Sequence, residues 1–134
     1  MSGDSIYLLD ASALMTLLED EDGAGRVEEI LLRGFVLVPF VALLEVYYIT
    51  LQERGETAAM QRHEMIKRLP ATLLWQMDEP VLLAAARFKA SQRISLADAI
   101  VAGFASVYGA VLVHKDPEFE VLAGTMVMEA LPYK

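Results

Sequence analysis

The sequence lacks cysteine altogether and is short of positive charge. With no cysteine among 134 residues, disulfide bonds and thiolate metal sites are excluded. Eleven Lys and Arg face 19 Asp and Glu, for a net charge of −8. Because phosphate contacts need Lys and Arg, this balance argues against nucleic-acid affinity through bulk charge. It does not exclude an enzyme acting on nucleic acid, since acids that hold divalent cations present positive charge once loaded.

The chain also lacks targeting and membrane-spanning signals. Its first residues, MSGDS, have neither the basic start nor the apolar core of a signal peptide, so we expect a cytoplasmic protein. The longest nearly uncharged run, Leu96–Val113, has Asp98 as its single charge, whereas a spanning helix wants roughly 20 apolar residues. Gly103 and Gly109 interrupt this run. It is therefore interpreted as a buried helix followed by a buried strand, and no membrane association is expected.

What is present is an alternation of short apolar strands with helices. At 55% hydrophobic and 22% charged residues the chain is typical of globular proteins, and its length predicts one domain over residues 1–134. Strands are predicted at 6–9, 35–38, 71–75, 110–114 and 125–130, and helices at 11–20, 25–33, 39–54, 56–69, 79–93 and 95–109. The alternation predicts an α/β fold of three α/β/α layers, with a central, mainly parallel sheet covered on both faces.

Acidic residues stand alone in the apolar elements. Asp10 follows the first strand directly, Glu45 is the only charge between Gly34 and Gln52, and Asp98 is alone in its helix. Asp116 follows the fourth strand by one residue. Burying an unpaired charge is costly, and functional groups of parallel sheets gather at the carboxyl ends of strands. The four acids are therefore predicted to converge on one site.

Each acid also has a purely structural interpretation. Asp10 could cap the helix that follows it, and Asp98 could complete a capping box with Ser95. Glu45 could pair with an arginine of another element, and Asp116 could be a solvated turn residue before Pro117.

Convergence would require a cation. Two like charges about 4 Å apart repel by about 4 kcal/mol at an effective dielectric constant of 20. Oxygen ligands suit Mg²⁺ or Mn²⁺. The chemistry that such a site favours is metal-assisted hydrolysis of phosphodiester bonds.

Four motifs, in order and spacing, resemble the signature of PIN-domain ribonucleases, most closely the VapC-type toxins of toxin–antitoxin pairs. They are LLDASAL, ALLEVYY, SLADAIVAGFA and LVHKDPEF, and the resemblance extends from about Ile6 to Met128. It implies an α/β/α fold with a parallel sheet and RNA cleavage that depends on Mg²⁺ or Mn²⁺. It also implies a homodimer and inhibition by a cognate antitoxin protein.

The resemblance also implies roles for individual residues. Asp10, Asp98 and Asp116 are expected to bind metal, with Glu45 helping through metal or metal-bound water. Ser12 is a candidate for holding an acid or a phosphate oxygen, and Glu118 is a weaker candidate ligand through water. The chain departs from the family pattern at His114, where Ser or Thr is common, and at Glu118, where Asp is common.

Basic residues near the predicted site are candidates for contact with RNA. Arg93 precedes the Asp98 helix, and Lys115 and His114 lie at the end of the fourth strand. Arg87 and Lys89 are interpreted instead as a solvated helix end. A second basic group on the helix at 56–69 is expected to be a solvated face: Arg62, Lys67 and Arg68.

Two other functions compete with a nuclease. A receiver-like phosphoacceptor domain also places Asp at strand ends. Such a domain needs a second acid near the end of the first strand and a catalytic acid at the end of the third. Here no acid lies close to Asp10, and Asp78 lies some way past the third strand. A non-catalytic partner-binding module, whose acids hold a structural cation, would share the same pattern of isolated carboxylates.

Overall fold

The computed structural model of the protein describes residues 5–134. Residues 1–4 lie outside the described residues. The prediction made from the opening MSGDS therefore falls mostly outside the described part of the chain. Five strands are formed: β1 (Ile6–Leu9), β2 (Phe35–Pro39), β3 (Thr72–Leu74), β4 (Val111–His114) and β5 (Met128–Ala130). Six α-helices accompany them: α1 (Ala11–Leu18), α2 (Ala24–Arg33), α3 (Phe40–Arg54), α4 (Glu56–Lys67), α5 (Glu79–Ser91) and α6 (Leu96–Tyr108).

The strands form one sheet in the order β3-β2-β1-β4-β5, and every neighbouring pair is parallel. The prediction of a parallel sheet is thus confirmed. The direction of winding reverses between β1 and β4, which is the switch point where ligands bind in open α/β sheets. Receiver domains have the order 2-1-3-4-5, so the order seen here differs from theirs.

Alternating side chains of the central strands enter two separate cores, because successive residues of a strand point to opposite faces. One core joins the sheet to α5 and α6 and takes from the central strands Leu8, Leu37 and Leu112. The other core joins the sheet to α1, α2, α3 and α4. From the central strands it takes Leu9, Val36, Val38 and Val113. Helices therefore cover both faces, as the three-layer prediction requires.

The run Leu96–Val113 forms α6 followed by β4, as the sequence predicts. Asp98 and the small residues Ala99, Ala102 and Ala105 are buried along this helix. Among residues 5–134, no helix has both the length and the apolar character that crossing a membrane requires.

The structure corrects two predictions. Only Met128–Ala130 of the predicted last strand is a strand, and an unpredicted 3₁₀ helix covers Pro117–Leu122. The expectation that Arg62 lies on a solvated face of α4 is wrong. Arg62 is buried, and its guanidinium donates to the Thr50 hydroxyl at 3.2 Å and to Glu19 at 3.1 Å. The helix is polar enough to look wet, but this arginine has partners in other elements.

Candidate active site

An acidic cleft of about 510 Å³ opens at the carboxyl ends of β1 and β4. It lies at the switch point of the sheet, and α1, α3 and α6 also contribute to its walls. Seven carboxylates line it: Asp10, Glu19, Glu21, Glu45, Glu53, Asp98 and Asp116. The four acids singled out by the sequence therefore lie in one cleft.

Asp10 is fixed in the turn between β1 and α1. It caps α1, because its Oδ1 accepts the backbone N–H of Ala13 at 2.8 Å. The residue is only 4% exposed. Burial raises the pKa of Asp10 to about 7, and the negative charges of Asp98 and Asp116 add to this rise. The capping interpretation is correct, and it coexists with a place in the cleft.

Ser12 connects Asp10 to the end of β4. Its hydroxyl lies 2.7 and 2.8 Å from the two carboxylate oxygens of Asp10 and donates to them. The same oxygen accepts the backbone N–H of Lys115 at 2.8 Å. Ser12 thus orients the Asp10 carboxylate. It also links the end of β1, which Asp10 follows, to the end of β4, which Asp116 follows.

Asp98 lies in the first turn of α6, where the helix dipole favours a negative charge. The hydroxyl of Ser95 caps the helix by accepting the backbone N–H of Asp98 at 3.1 Å. At 7% exposure, Asp98 is buried. Its desolvation raises the pKa of Asp98 to about 7, and the nearby charges of Asp116, Glu45 and Glu118 act in the same direction.

Asp116 and Glu118 occupy the loop after β4. Asp116 caps the 3₁₀ helix, and its Oδ1 accepts the backbone N–H of Glu118 at 2.9 Å. Carboxylate oxygens of Asp98, Asp116 and Glu118 lie within 4.8 Å of one another. Glu118, which the sequence ranks as the weaker candidate, thus belongs with Asp98 and Asp116 to a group of acids that could share a metal ion.

Glu45 reaches the cleft from α3, on the same helix face as Ile49 and Glu53. Desolvation raises the pKa of its carboxyl group, and the charge of Asp116 contributes. Within residues 5–134, no ion pair joins Glu45 or the other sequence-predicted acids to a basic side chain. The alternative in which Glu45 pairs with an arginine is therefore not realised in this part of the chain.

These observations fit a divalent cation. The donors are all carboxylate oxygens, which are the ligands that Mg²⁺ and Mn²⁺ prefer. Burial raises the pKa of Asp10, Glu45 and Asp98 in the absence of a cation, and within the described residues no ion pair joins these three carboxyl groups to an ammonium or guanidinium group. A doubly charged ion would remove both the mutual repulsion and part of the desolvation penalty.

The predicted RNA-contacting residues are placed differently from one another. Lys115 lines the cleft, but its side chain is only 6% exposed and its Nζ donates to the backbone oxygen of Asp22 at 2.9 Å. Arg93 is exposed and lies outside the cleft lining. His114 is 1% exposed, and its Nδ1 accepts the backbone N–H of Asp116 at 3.1 Å. Burial lowers the pKa of His114, which favours its neutral form.

Sequence reasoning missed part of the cleft wall. Glu19, Glu21, Tyr133 and Lys134 line it, and no local pattern in the sequence distinguishes them. Glu53 had a usable signal, because it lies two helical turns after Glu45 and therefore on the same face.

The fold and the cleft together define a three-layer α/β/α protein with an acidic site that fits a divalent cation. A sequence model of the family described as PIN domain matches residues 7–125. The chain therefore belongs to the PIN-domain family, and the resemblance read from the four motifs is confirmed. No curated protein sequence matches the chain significantly.

Solved structures of toxin–antitoxin proteins share the fold. A chain of VapBC2 from Rickettsia felis, bound to a DNA fragment from their promoter, has a TM-score of 0.78 at 12% identity, covering 95% of this chain and 99% of that one. A chain of a toxin–antitoxin complex from Klebsiella pneumoniae has a TM-score of 0.74 at 16% identity, covering 96% of this chain and 99% of that one. VapC20 from Mycobacterium tuberculosis, a sarcin–ricin loop cleaving toxin, has a TM-score of 0.70 at 14% identity, covering 89% of this chain and 95% of that one. At such identities the likeness shows the fold alone.

Proposed function

We propose that this protein is a metal-dependent endoribonuclease that hydrolyses RNA phosphodiester bonds in the acidic cleft. The observation that carries the proposal is the convergence of Asp10, Glu45, Asp98 and Asp116 from four separate segments into one cleft. Membership of the PIN-domain family supports nuclease activity. We also propose that residues 1–134 act as a single domain.

The chain's own residues have distinct tasks in this proposal. Asp98 and Asp116 would hold Mg²⁺ or Mn²⁺ directly together with Asp10, while Glu45 and Glu118 act as ligands or hold its waters. Ser12 keeps the Asp10 carboxylate facing the cleft. The cation, when bound, would supply the positive charge that attracts a phosphate and lowers the pKa of a bound water. Glu45, whose carboxyl group retains a proton more readily than an ordinary glutamate, would accept or release a proton at its carboxylate oxygen.

The biological role we propose is that of the toxin in a toxin–antitoxin pair. Support comes from the VapBC2 structure from Rickettsia felis and the toxin–antitoxin complex from Klebsiella pneumoniae, both of which share the fold. A cognate antitoxin protein and a second copy of this chain are the partners we expect. RNA as substrate is supported by the fold shared with the M. tuberculosis VapC20 toxin, which cleaves the sarcin–ricin loop.

The proposal is tested by comparing wild type with Asp98→Asn and Asp78→Asn. Asp78 caps α5 by accepting the N–H of Val81 and lies outside the acidic cleft, so its replacement is a matched control. Asp98→Asn should lower cleavage of a single-stranded RNA pool by ~10²-fold or more and abolish stabilisation by Mn²⁺. Asp78→Asn should retain both, because Asn caps helices as well as Asp does.

Two outcomes would contradict the proposal. Equal cleavage by wild type, Asp98→Asn and an EDTA-treated sample would show that the cleft is not the catalytic site. Stabilisation by Mn²⁺ without cleavage of any RNA would favour the non-catalytic module with a structural cation. A receiver-like phosphoacceptor has no support in the strand order.

A further inference from the structure

The Leu131–Lys134 segment runs along the rim of the acidic cleft and is anchored at two points. Leu131 is buried, and its backbone N–H donates to the backbone oxygen of His114 at 2.7 Å. The hydroxyl of Tyr133 donates to Glu120 at 2.6 Å, and its ring centroid lies 6.3 Å from that of His114. Lys134, the next residue, lines the cleft beside these anchored positions.

The balance of charge in the cleft makes Lys134 unusual. Seven carboxylates and two lysines line it. The Lys115 side chain is 6% exposed and donates to a backbone oxygen, whereas the Lys134 side chain is 74% exposed. The Nζ of Lys134 lies 2.6 Å from Glu21. Lys134 is therefore the lining cation, within the described residues, that solvent and ligands can reach.

An RNA strand would meet unfavourable charge on this side of the cleft. A divalent cation would offset the acids that ligate it, and Glu19 is already paired with Arg62 and Arg54. Glu53 also lines the cleft and has no ion pair among the described residues, while Glu21 depends on Lys115 and Lys134 for its neutralisation. The phosphates next to the scissile one then need a protein cation, since backbone phosphates are held by Lys and Arg. Glu21 is half-buried and has Lys115 as a second partner at 3.5 Å. Lys134 can therefore exchange Glu21 for a phosphate without leaving that carboxylate unpaired.

We propose that Lys134 is a substrate-binding residue that contacts an RNA phosphate adjoining the scissile bond, and that Tyr133 holds it in place. This inference rests on the proposed function, because it names the substrate contact of the same cleft. It assigns the binding of the flanking phosphate to a residue outside the four-carboxylate set, at the far end of the described chain.

The experiment measures steady-state cleavage of a labelled single-stranded RNA by wild type, Lys134→Ala, Lys134→Arg and Lys67→Ala. Lys67 is the control, since it is an exposed lysine paired with Glu64 on α4 and away from the cleft. Lys134→Ala should raise KM about fivefold with less than a twofold change in kcat. Lys134→Arg should restore KM, and Lys67→Ala should match wild type.

The salt dependence adds a readout that a structural role would not move. Each phosphate contact on a single strand contributes about −0.7 to the slope of log affinity against log salt. RNA binding, measured by fluorescence anisotropy in Mn²⁺, should therefore have a slope about 0.7 less steep for Lys134→Ala. An unchanged KM and slope relative to Lys67→Ala would overturn the inference.

The outcomes separate this inference from the proposed function. If wild type cleaves RNA while Lys134→Ala behaves like Lys67→Ala, the lysine contact is wrong and the nuclease stands. If wild type cleaves no RNA but Lys134→Ala still weakens RNA binding and flattens the salt slope, Lys134 contacts an RNA phosphate and the nuclease proposal fails. If neither cleavage nor a change in binding is seen, both are wrong.

Discussion

The side-chain oxygen of Ser12 lies 2.8 Å from the backbone nitrogen of Lys115, across 103 positions of sequence. This bond joins the turn after β1 to the loop after β4. Because Ser12 also donates to Asp10, one hydroxyl sets the position of an acid and of the loop that carries Asp116.

Replacing Ser12 should therefore damage both stability and metal binding. In Ser12→Ala the buried carboxylate of Asp10 loses a donor and the N–H of Lys115 loses its acceptor, which should cost about 1–3 kcal/mol. Removing such an orienting partner should weaken Mn²⁺ binding about 10-fold or more. Thermal unfolding and a Mn²⁺ titration measure the two effects. Ser91→Ala is the control, because the exposed Ser91 hydroxyl bonds only the Arg87 carbonyl. Equal behaviour of the two variants would refute the role of Ser12.

His114 should matter through its acceptor nitrogen. Its Nδ1 accepts the N–H of Asp116, and its ring packs 5.0 Å from that of Phe119. His114→Asn offers a side-chain oxygen near the same position, whereas His114→Leu offers none. Both variants should unfold at lower temperature, since both disturb the packing against Phe119. Only His114→Leu should weaken Mn²⁺ binding, by about 10-fold. If Asn and Leu weaken metal binding equally, the hydrogen bond does not position Asp116.

The four main acids could be predicted from sequence because each contrasts with its surroundings. A single carboxylate in an apolar element demands a reason, and parallel strand ends supply a common location. The sheet and its helices could be predicted for a related reason, since short apolar runs alternate regularly with amphipathic ones. Glu118 lies in a polar loop, where an acid does not contrast with its neighbours. The sequence therefore ranked it only as a weaker candidate ligand.

The features that sequence reasoning missed depend on tertiary contacts. Arg62 sits on a helix rich in polar residues, and nothing local shows that Thr50 and Glu19 meet it in the interior. Lys134 reaches the cleft only because Leu131 extends the pairing next to β4. Both positions follow from the path of the chain in space, which residue spacing does not encode.

Two glycine-to-alanine substitutions, one where α6 packs against α5 and one on the open surface of α2, should have opposite effects on stability. A Cβ at Gly103 would lie 3.0 Å from the backbone oxygen of Val81 and from the backbone nitrogen of Ala85. Gly103→Ala should therefore destabilise the protein by about 1–3 kcal/mol, although Ala favours helices. Gly25 lies on α2 with nothing within 4 Å of its Cβ position, so Gly25→Ala should stabilise by up to about 1 kcal/mol. Thermal unfolding compares them, and stabilisation by both would contradict the close packing.

The metal-free protein should lose stability as the pH rises from about 4 to about 7. Burial raises the pKa of Asp10 and of Asp98 from 3.8 to about 7. In this window the folded state holds protons that the unfolded state has released, so the free energy of unfolding falls with increasing pH. Glu45, whose pKa is also raised, acts in the same direction. Two groups oppose the trend. Burial lowers the pKa of His114 below its ordinary 6.5, and the hydrogen bond from Lys134 lowers the pKa of Glu21 below its ordinary 4.5, so Glu21 acts mainly below the window in which Asp10 and Asp98 titrate.

Thermal unfolding in EDTA at pH 5 and pH 8 measures this slope, and the double variant Asp10→Asn/Asp98→Asn is its control. Wild type should unfold at the lower temperature at pH 8, and the double variant should show a much smaller difference because two of the three titrating carboxyl groups are gone. Excess Mn²⁺ should reverse the wild-type trend, since metal ligands must be deprotonated and binding therefore strengthens as the pH rises. A wild-type protein that is more stable at pH 8 than at pH 5 in EDTA would show that burial does not raise the pKa of these acids in the folded protein.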